Sequence, residues 1–436
     1  MTEPSGTQLQ QPEEVRFPGQ DRELAASLLA ELFGSEEARA DPYPYYRRLR
    51  EADPVHVADS GRLYLTRYAD CAAALRDSRL LGQSPEWMDT ASPGWREHPA
   101  LVQNIESVLF RDPPEHTRLR RLVNRSFTPR RVARMREDVI RLVGRSLDRL
   151  ADAGSDGSTV DAYELLAATL PIAVVGTLIG IPERDWPELH DPASAVMQVV
   201  EVGVGADALE RADHAAVRLN AYFEDLIAQR RRDPQADIIS DLVASADSGG
   251  DPEEGGGGMT AAELLQMTIL LFGAGVDTTV GLLSNGLVAL LGNPRQAELL
   301  RADPGLAEAT VTEVLRYDSP TQVIVRVAGP DAVVAGHLVP ENGTVFALTG
   351  AAHRDPEQFG DPDTFDITRT GSPVLSFSGG IHYCVGAPLA RLEAEVFFPA
   401  LLDRFPELAL TGRPMRRGYV VRGYDSLPVT VGKAAS

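Results

Sequence analysis

Cysteine, lysine and net positive charge are all scarce in this 436-residue chain, and each scarcity excludes something. Two cysteines, Cys71 and Cys384, rule out a disulfide framework and any multi-cysteine metal cluster. They leave room for one thiolate with a special task. Lysine occurs once, at Lys433, so nearly all of the 42 basic groups are arginines. Against them stand 63 acidic groups, a formal charge of −21, which disfavours non-specific binding to nucleic acid or an anionic membrane. The polar stretch Met1 to Gln20 lacks a basic patch followed by an apolar run, so no signal peptide is expected, and a cytoplasmic location fits the cysteine usage. One long apolar run could be mistaken for a membrane span. From Leu264 to Gly292 the sole charge is Asp277, a length sufficient to span a bilayer. Asp277, Thr278, Thr279, Ser284 and Asn285 sit at its middle, where an unpaired acid is expensive in lipid. The run therefore reads as a helix buried in a protein core.

The rest of the composition, 43% hydrophobic and 24% charged, is globular. Apolar residues recur with helical period over 115–126, 130–153, 161–179, 206–231, 237–245, 260–291, 294–302, 305–317 and 387–405. Asp41-Pro-Tyr-Pro-Tyr-Tyr opens a further short helix. A hairpin is expected at Val55–Val57 and Leu63–Thr66. Short β runs follow Pro320, at Val323–Ala328, Ala332–Val334, Thr344–Leu348, Tyr419–Val421 and Val429–Val431. Residues 84–111, with Pro85, Pro93 and Pro99, read as a long loop covering something apolar. An acidic, Gly-rich linker occupies Asp247–Gly258, and residues 1–22 read as a flexible tail. The fold class is mainly α with a small β component (α+β).

The chemistry concentrates at Phe377-Ser-Gly-Gly-Ile-His-Tyr-Cys-Val-Gly386. Gly379, Gly380 and Gly386 permit tight turns and close approach to a planar ligand. Cys384 lies just before a helix N-terminus, whose free N–H groups and dipole favour a thiolate, a plausible axial ligand for heme iron. A buried free cysteine in a Gly-rich turn is the plainer alternative, and Cys71, on an apolar helix face, is read that way. A zinc site using His382 and Cys384 lacks two further ligands at suitable spacing.

Phe-x-x-Gly-x-His-x-Cys-x-Gly at 377–386 resembles the heme-binding signature of the cytochrome P-450 superfamily, with Ser378 where glycine is frequent. Glu313-Val-Leu-Arg316 resembles that family's Glu-x-x-Arg pair, and Phe365-Asp-Ile-Thr-Arg369 the segment that supplies its third member. Ala274-Gly-Val-Asp-Thr-Thr279 resembles the oxygen-activating stretch, and His116-Thr-Arg-Leu-Arg120 the heme-contacting helix. The likeness spans about residues 25–434. It implies one large P-450 domain over 23–434, built around a buried heme b (iron protoporphyrin IX).

On that resemblance Cys384 is the metal ligand. His116, Arg120, Arg326 and His382 bind the heme carboxylates, with Phe377, Gly379 and Gly386 shaping the cofactor loop. Asp277 and Thr278 manage O2 and relay protons from solvent. Glu313, Arg316 and Arg369 form a structural ion cluster. The substrate, a medium-to-large and mostly apolar molecule, is expected against Trp87, Met88, Gln198 in the apolar segment 192–206, Leu271, Ala274, Val323, Ile324 and Val421. Hydroxylation or epoxidation in secondary-metabolite tailoring is the leading reaction. Oxidative coupling without oxygen insertion, and a non-catalytic heme sensor or carrier, are the alternatives. Electrons should come from NAD(P)H through separate proteins, a ferredoxin and its reductase. An arginine face of Arg118, Arg121 and Arg125, with Arg130 and Arg131 beyond, would dock the acidic donor. A monomer is expected.

Overall fold

The computed structural model describes residues 21–249 and 257–432. Most of the expected linker, residues 250–256, most of the expected tail, residues 1–20, and Lys433 lie outside them. Nine helices position the site: α1 (Pro99–Ile105), α2 (Glu115–Ser126), α3 (Pro129–Ala153), α4 (Thr169–Ile179), α5 (Trp186–Met197), α6 (Ala206–Arg232), α7 (Ala261–Gly292), α8 (Ala307–Tyr317) and α9 (Ala387–Arg404). A five-stranded sheet joins β1 (Val55–Val57), β2 (Leu63–Leu65), β3 (Leu80–Leu81), β4 (Ile324–Ala328) and β5 (Thr344–Ala347), in the order β1-β2-β5-β4-β3.

The apolar run does form a core helix. α7 starts on a capping box, with Thr260 Oγ1 accepting from Glu263 N at 3.1 Å and Glu263 Oε2 accepting from Thr260 N at 2.9 Å. It passes through the main hydrophobic cluster and ends at Asn293-Pro294. It is long and apolar enough to cross a membrane, yet most of its apolar window is covered by protein. Its notch is satisfied internally: Asn285 Nδ2 donates to Asp318 O at 2.9 Å and Arg422 O at 3.1 Å. A second cluster, including Leu65, Cys71 and Val345, packs against the sheet. Cys71 Sγ lies 3.4 Å from Leu65 O, and burial raises its thiol, as packing rather than chemistry requires.

Two expectations are corrected and one helix is added. The 84–111 loop contains helices at Pro85–Ala91 and α1 and a 3-10 turn at Trp95–Glu97. Two of its three prolines begin helices rather than break them: Pro85 follows the Ser84 cap and Pro99 occupies the first turn of α1, while Pro93 lies in a turn. The helix Arg22–Gly34 was not anticipated, although Asp21 caps it. The strand expected at 419–421 is displaced, pairing instead as β6 (Met415–Arg417) with β7 (Gly423–Ser426), while Val421 makes a lone bridge to Thr321.

Candidate functional site

The Cys384 loop runs into α9, whose first turn has no side-chain cap. Its N–H groups at Gly386 and Ala387 reach the sulfur instead. They and Arg120 pull the thiol pKa down, but burial is the larger influence and raises it. A bound cation would act in the opposite direction and favour the thiolate. Cys384 N donates to Phe377 O at 2.9 Å, closing the loop. Arg120 Nη2 donates to Tyr383 O at 2.5 Å, tying α2 to it. Gly380 has a φ of +62°, and a Cβ there would lie 2.8 Å from Leu75 O. Glycine is thus required by the neighbouring backbone. Ser378 also has a positive φ of 62°, and its Oγ accepts from Arg326 Nη2 at 3.2 Å. The serine that departs from the usual signature is held in a strained conformation by a bond glycine could not make.

Beside this loop the fold gathers cationic groups with too few acids. His116 from α2 and His382 from the loop stack obliquely, ring centroids 4.6 Å apart. His116 Nδ1 and His382 Nε2 are buried with no partner among the described residues. Arg326, on β4, is 8% exposed. Burial pushes its pKa down to about 10, opposed by Asp112, whose carboxylate already accepts from Gly82 N at 2.9 Å. Burial and the nearby arginine lower His382 to about 3, and burial with Arg120 lowers His116. Orphaned ring nitrogens and desolvated guanidinium groups are what a pair of ligand carboxylates would satisfy. The donor set, with one thiol nearby, fits heme.

α7 carries the second constellation. Thr278 Oγ1 donates to Ala274 O at 2.8 Å, the back-bond expected of a helical threonine. Asp277 is 6% exposed, and its Oδ1 lies 2.8 Å from Arg417 Nη2. Ser194 Oγ, on α5, donates to the same oxygen at 3.3 Å. Arg417 in turn stands 3.4 Å from the half-exposed Asp425. A crevice of about 1540 Å³ reaches Asp277, Ser194 and Arg417 from outside. Sequence reasoning missed Arg417 and Ser194: nothing local links residue 417 to residue 277.

Glu313 and Arg316 on α8 form a bidentate pair, both contacts 2.8 Å, with side-chain exposures of 2% and 0%. Arg369 stands off at 3.5 Å from Glu313 and donates chiefly to Gly360 O at 2.6 Å. The three are brought together as expected, unequally.

The expected pocket residues come from several elements. Trp87 donates from Nε1 to Asn342 O at 3.1 Å, and Met88 packs with Trp95 and Ile105 in a satellite cluster. Gln198 is exposed on the outer crevice. Leu271 and Ala274 lie on α7, Val323 and Ile324 at the start of β4, and Val421 borders the crevice. The arginine face is also rearranged. Arg118 donates to Gly258 O at 2.6 Å and pairs with Glu263, and Arg131 pairs with Asp241. Arg121, Arg125 and Arg130 remain exposed.

An α-rich fold, a cysteine before a helix N-terminus, a cluster of cationic groups and a buried acid–alcohol helix are the features that a heme-thiolate oxidoreductase would use. The family model described as Cytochrome P450 matches residues 79–414. The chain belongs to that family and has its fold. It is 38% identical over 403 residues to cytochrome P450 monooxygenase PikC of Streptomyces venezuelae, covering 90% of this chain and 92% of that one. It is 35% identical over 407 residues to 6-deoxyerythronolide B hydroxylase of Saccharopolyspora erythraea, covering 91% and 97%. The solved structure of P450BioI with a hexadecenoic-acid-ligated acyl carrier protein superposes with a TM-score of 0.82 at 35% identity, covering 91% and 100%. The protein is therefore an oxygen-incorporating oxidoreductase whose family uses heme iron, O2, redox partners and small-molecule substrates.

Proposed function

We propose that this chain, with residues 23–434 as one catalytic domain, inserts one atom of O2 into a medium-to-large, mostly apolar small molecule. Hydroxylation or epoxidation in secondary-metabolite tailoring is the reading. The likeness to 6-deoxyerythronolide B hydroxylase, at 35% identity, supports hydroxylation. The observation that carries the cofactor reading is the orphaned His116 and His382 pair beside Arg120, Arg326 and Cys384.

Cys384 would hold the iron of heme b, its sulfur backed by the Gly386 and Ala387 N–H groups. His116, His382, Arg120 and Arg326 would hold the two carboxylates, with Phe377 and Gly379 shaping the loop beneath. When bound, the heme supplies O2 binding and activation. Thr278 would leave the Ala274 carbonyl and donate to O2. Asp277, within reach of the crevice, would pass protons inward while Arg417 and Ser194 hold its carboxylate. Electrons would arrive from NAD(P)H through a reductase and an acidic ferredoxin. Exposed Ile381 and Tyr383 flank Cys384, and Arg121 and Arg125 add positive charge for docking. Electron transfer should slow as salt rises, and a rate independent of salt would remove this docking face. A cytoplasmic monomer fits the chain's charge and the covered α7. Turnover under isotopically labelled O2 tests the reaction. Label in the product supports insertion, and an unlabelled, dehydrogenated product would mean coupling instead.

A further inference from the structure

α9 carries an acid that its packing does not explain. Glu393 is 1% exposed, and its Oε1 meets no hydrogen-bonding group among the described residues. Its neighbours along the helix, Leu389, Leu392, Ala394 and Phe397, are apolar and buried. A carboxyl enclosed without a partner destabilises a fold, and such groups are retained where function uses them. Gly386, the cap residue of α9, and Glu393 are seven residues apart, so they share one face of the helix. That face carries an N–H behind the Cys384 sulfur and, about 10 Å along the axis, this carboxyl.

Charged groups that reach α9 from the elements packed against it are committed elsewhere. Arg136 of α3 lies 4.0 Å from Glu395, and Asp148 of α3 lies 3.6 Å from Arg404. On α8, Glu313 and Arg316 hold each other, Glu308 lies close to Glu395, and Thr312 takes a bond from Arg391 at 2.9 Å. On α7, Asp277 is paired with Arg417 and Glu263 with Arg118. Arg301, on the helix Pro294–Ala302, donates to Leu402 O at 3.1 Å. Burial is the one influence on Glu393, and it raises the carboxyl to about 8. A negative charge added at Cys384 acts on it through protein rather than water. At roughly 10–12 Å and an effective dielectric near 20, Coulomb's law makes its proton affinity about tenfold greater.

We propose that Glu393 is a redox-linked proton acceptor: when an electron enters the heme-thiolate site, the Glu393 carboxylate takes up a proton from solvent, and it releases that proton when the electron leaves. The electron, supplied by the redox partner, reduces ferric iron to ferrous. The proton forms an O–H bond on Glu393 and offsets the added charge. No other bond is made or broken. The reduced state holds the extra proton, so the potential falls as pH rises from about 8 to about 9 and is flat on either side. The inference rests on the heme reading above and extends it, because electron delivery becomes sensitive to pH through a residue on the thiolate side of the site.

The test is a redox titration of the heme-loaded full chain across this pH range, with infrared difference spectra, for wild type, Glu393→Gln and Glu393→Leu. Near about pH 8.5, wild type should take up about half a proton per electron. Its potential should fall with pH there, and the reduced-minus-oxidised spectrum should gain the C=O stretch of a protonated carboxyl. Both variants should lose all three signals while keeping the red-shifted thiolate–CO band. A wild-type potential that stays flat through the window overturns the proposal, as does a heme-loaded variant that keeps the wild-type pH dependence. Should neither variant take up heme, wild type grown on 13C-labelled glutamate decides. A C=O band that moves with the label supports a glutamic acid as the acceptor, and one that does not move overturns it. Heme with the thiolate–CO band but no proton uptake sinks this inference alone, whereas a wild type that takes up no heme sinks the reading beneath it.

Discussion

Asp277, in the middle of the longest helix, is ion-paired at 2.8 Å to Arg417, which lies 140 residues later on a strand of the C-terminal hairpin. Both side chains are largely buried, 8% and 12% exposed. An acid at this depth is tolerable because its partner arrives from another element. The same contact restrains the carboxylate that the relay would use, which would make Arg417 a positioning residue.

Arg417→Met should lower the unfolding free energy by about 3 kcal/mol, because it strands a buried carboxylate. Adding Asp277→Leu should recover much of that loss. A double-mutant cycle in denaturant measures the coupling, and additive losses would mean the two residues do not act as a pair.

Thr278→Ala should leave heme content and ligand binding intact while sending more reducing equivalents to peroxide and fewer to product. Asp277→Asn should slow turnover by about 10²-fold, near the low end for a lost proton-transfer group, with a larger solvent isotope effect. Unchanged coupling of electrons to product in the threonine variant would remove it from the relay.

The ion cluster behind the site should respond unequally. Glu313→Gln leaves Arg316 charged and fully enclosed, so a loss of roughly 3–5 kcal/mol is expected. Arg369→Ala removes a longer and more exposed contact and should cost about 1 kcal/mol or less. Equal effects of the two substitutions would contradict the geometry.

Glu393 gives a pH dependence. It is 1% exposed on α9, its Oε1 has no partner, and burial raises its carboxyl to about 8. Unfolded chains ionise near the ordinary carboxyl value, so between that value and about 8 the native state holds the extra proton. Stability from this group therefore falls as pH rises through that window. Glu393→Gln should match wild type in acid and exceed it increasingly up to pH 8, by at most about 5 kcal/mol. Melting curves across pH check this, and a variant that is less stable at pH 8 would mean the carboxylate has a partner.

What was legible in the sequence was what short spacing can encode. The Cys384 loop, His116 with Arg120, and Glu313 with Arg316 each lie within one turn or one loop, so their juxtaposition follows from helix geometry. Contacts made across the fold were not legible. Arg417 meets Asp277 only after the C-terminal hairpin forms, and Glu263 draws Arg118 away from the surface. Proline misled in the 84–111 region because the residue that stops a helix internally also starts one.

The most direct measurement is the absorption spectrum of the reduced, CO-treated protein, for wild type, Cys71→Ala and Cys384→Ala. Wild type and Cys71→Ala should both give the red-shifted thiolate–CO band, and Cys384→Ala should lose it. Wild-type protein that binds heme without that band, or a Cys384→Ala variant that keeps it, would contradict Cys384 as the iron ligand and the account built on it.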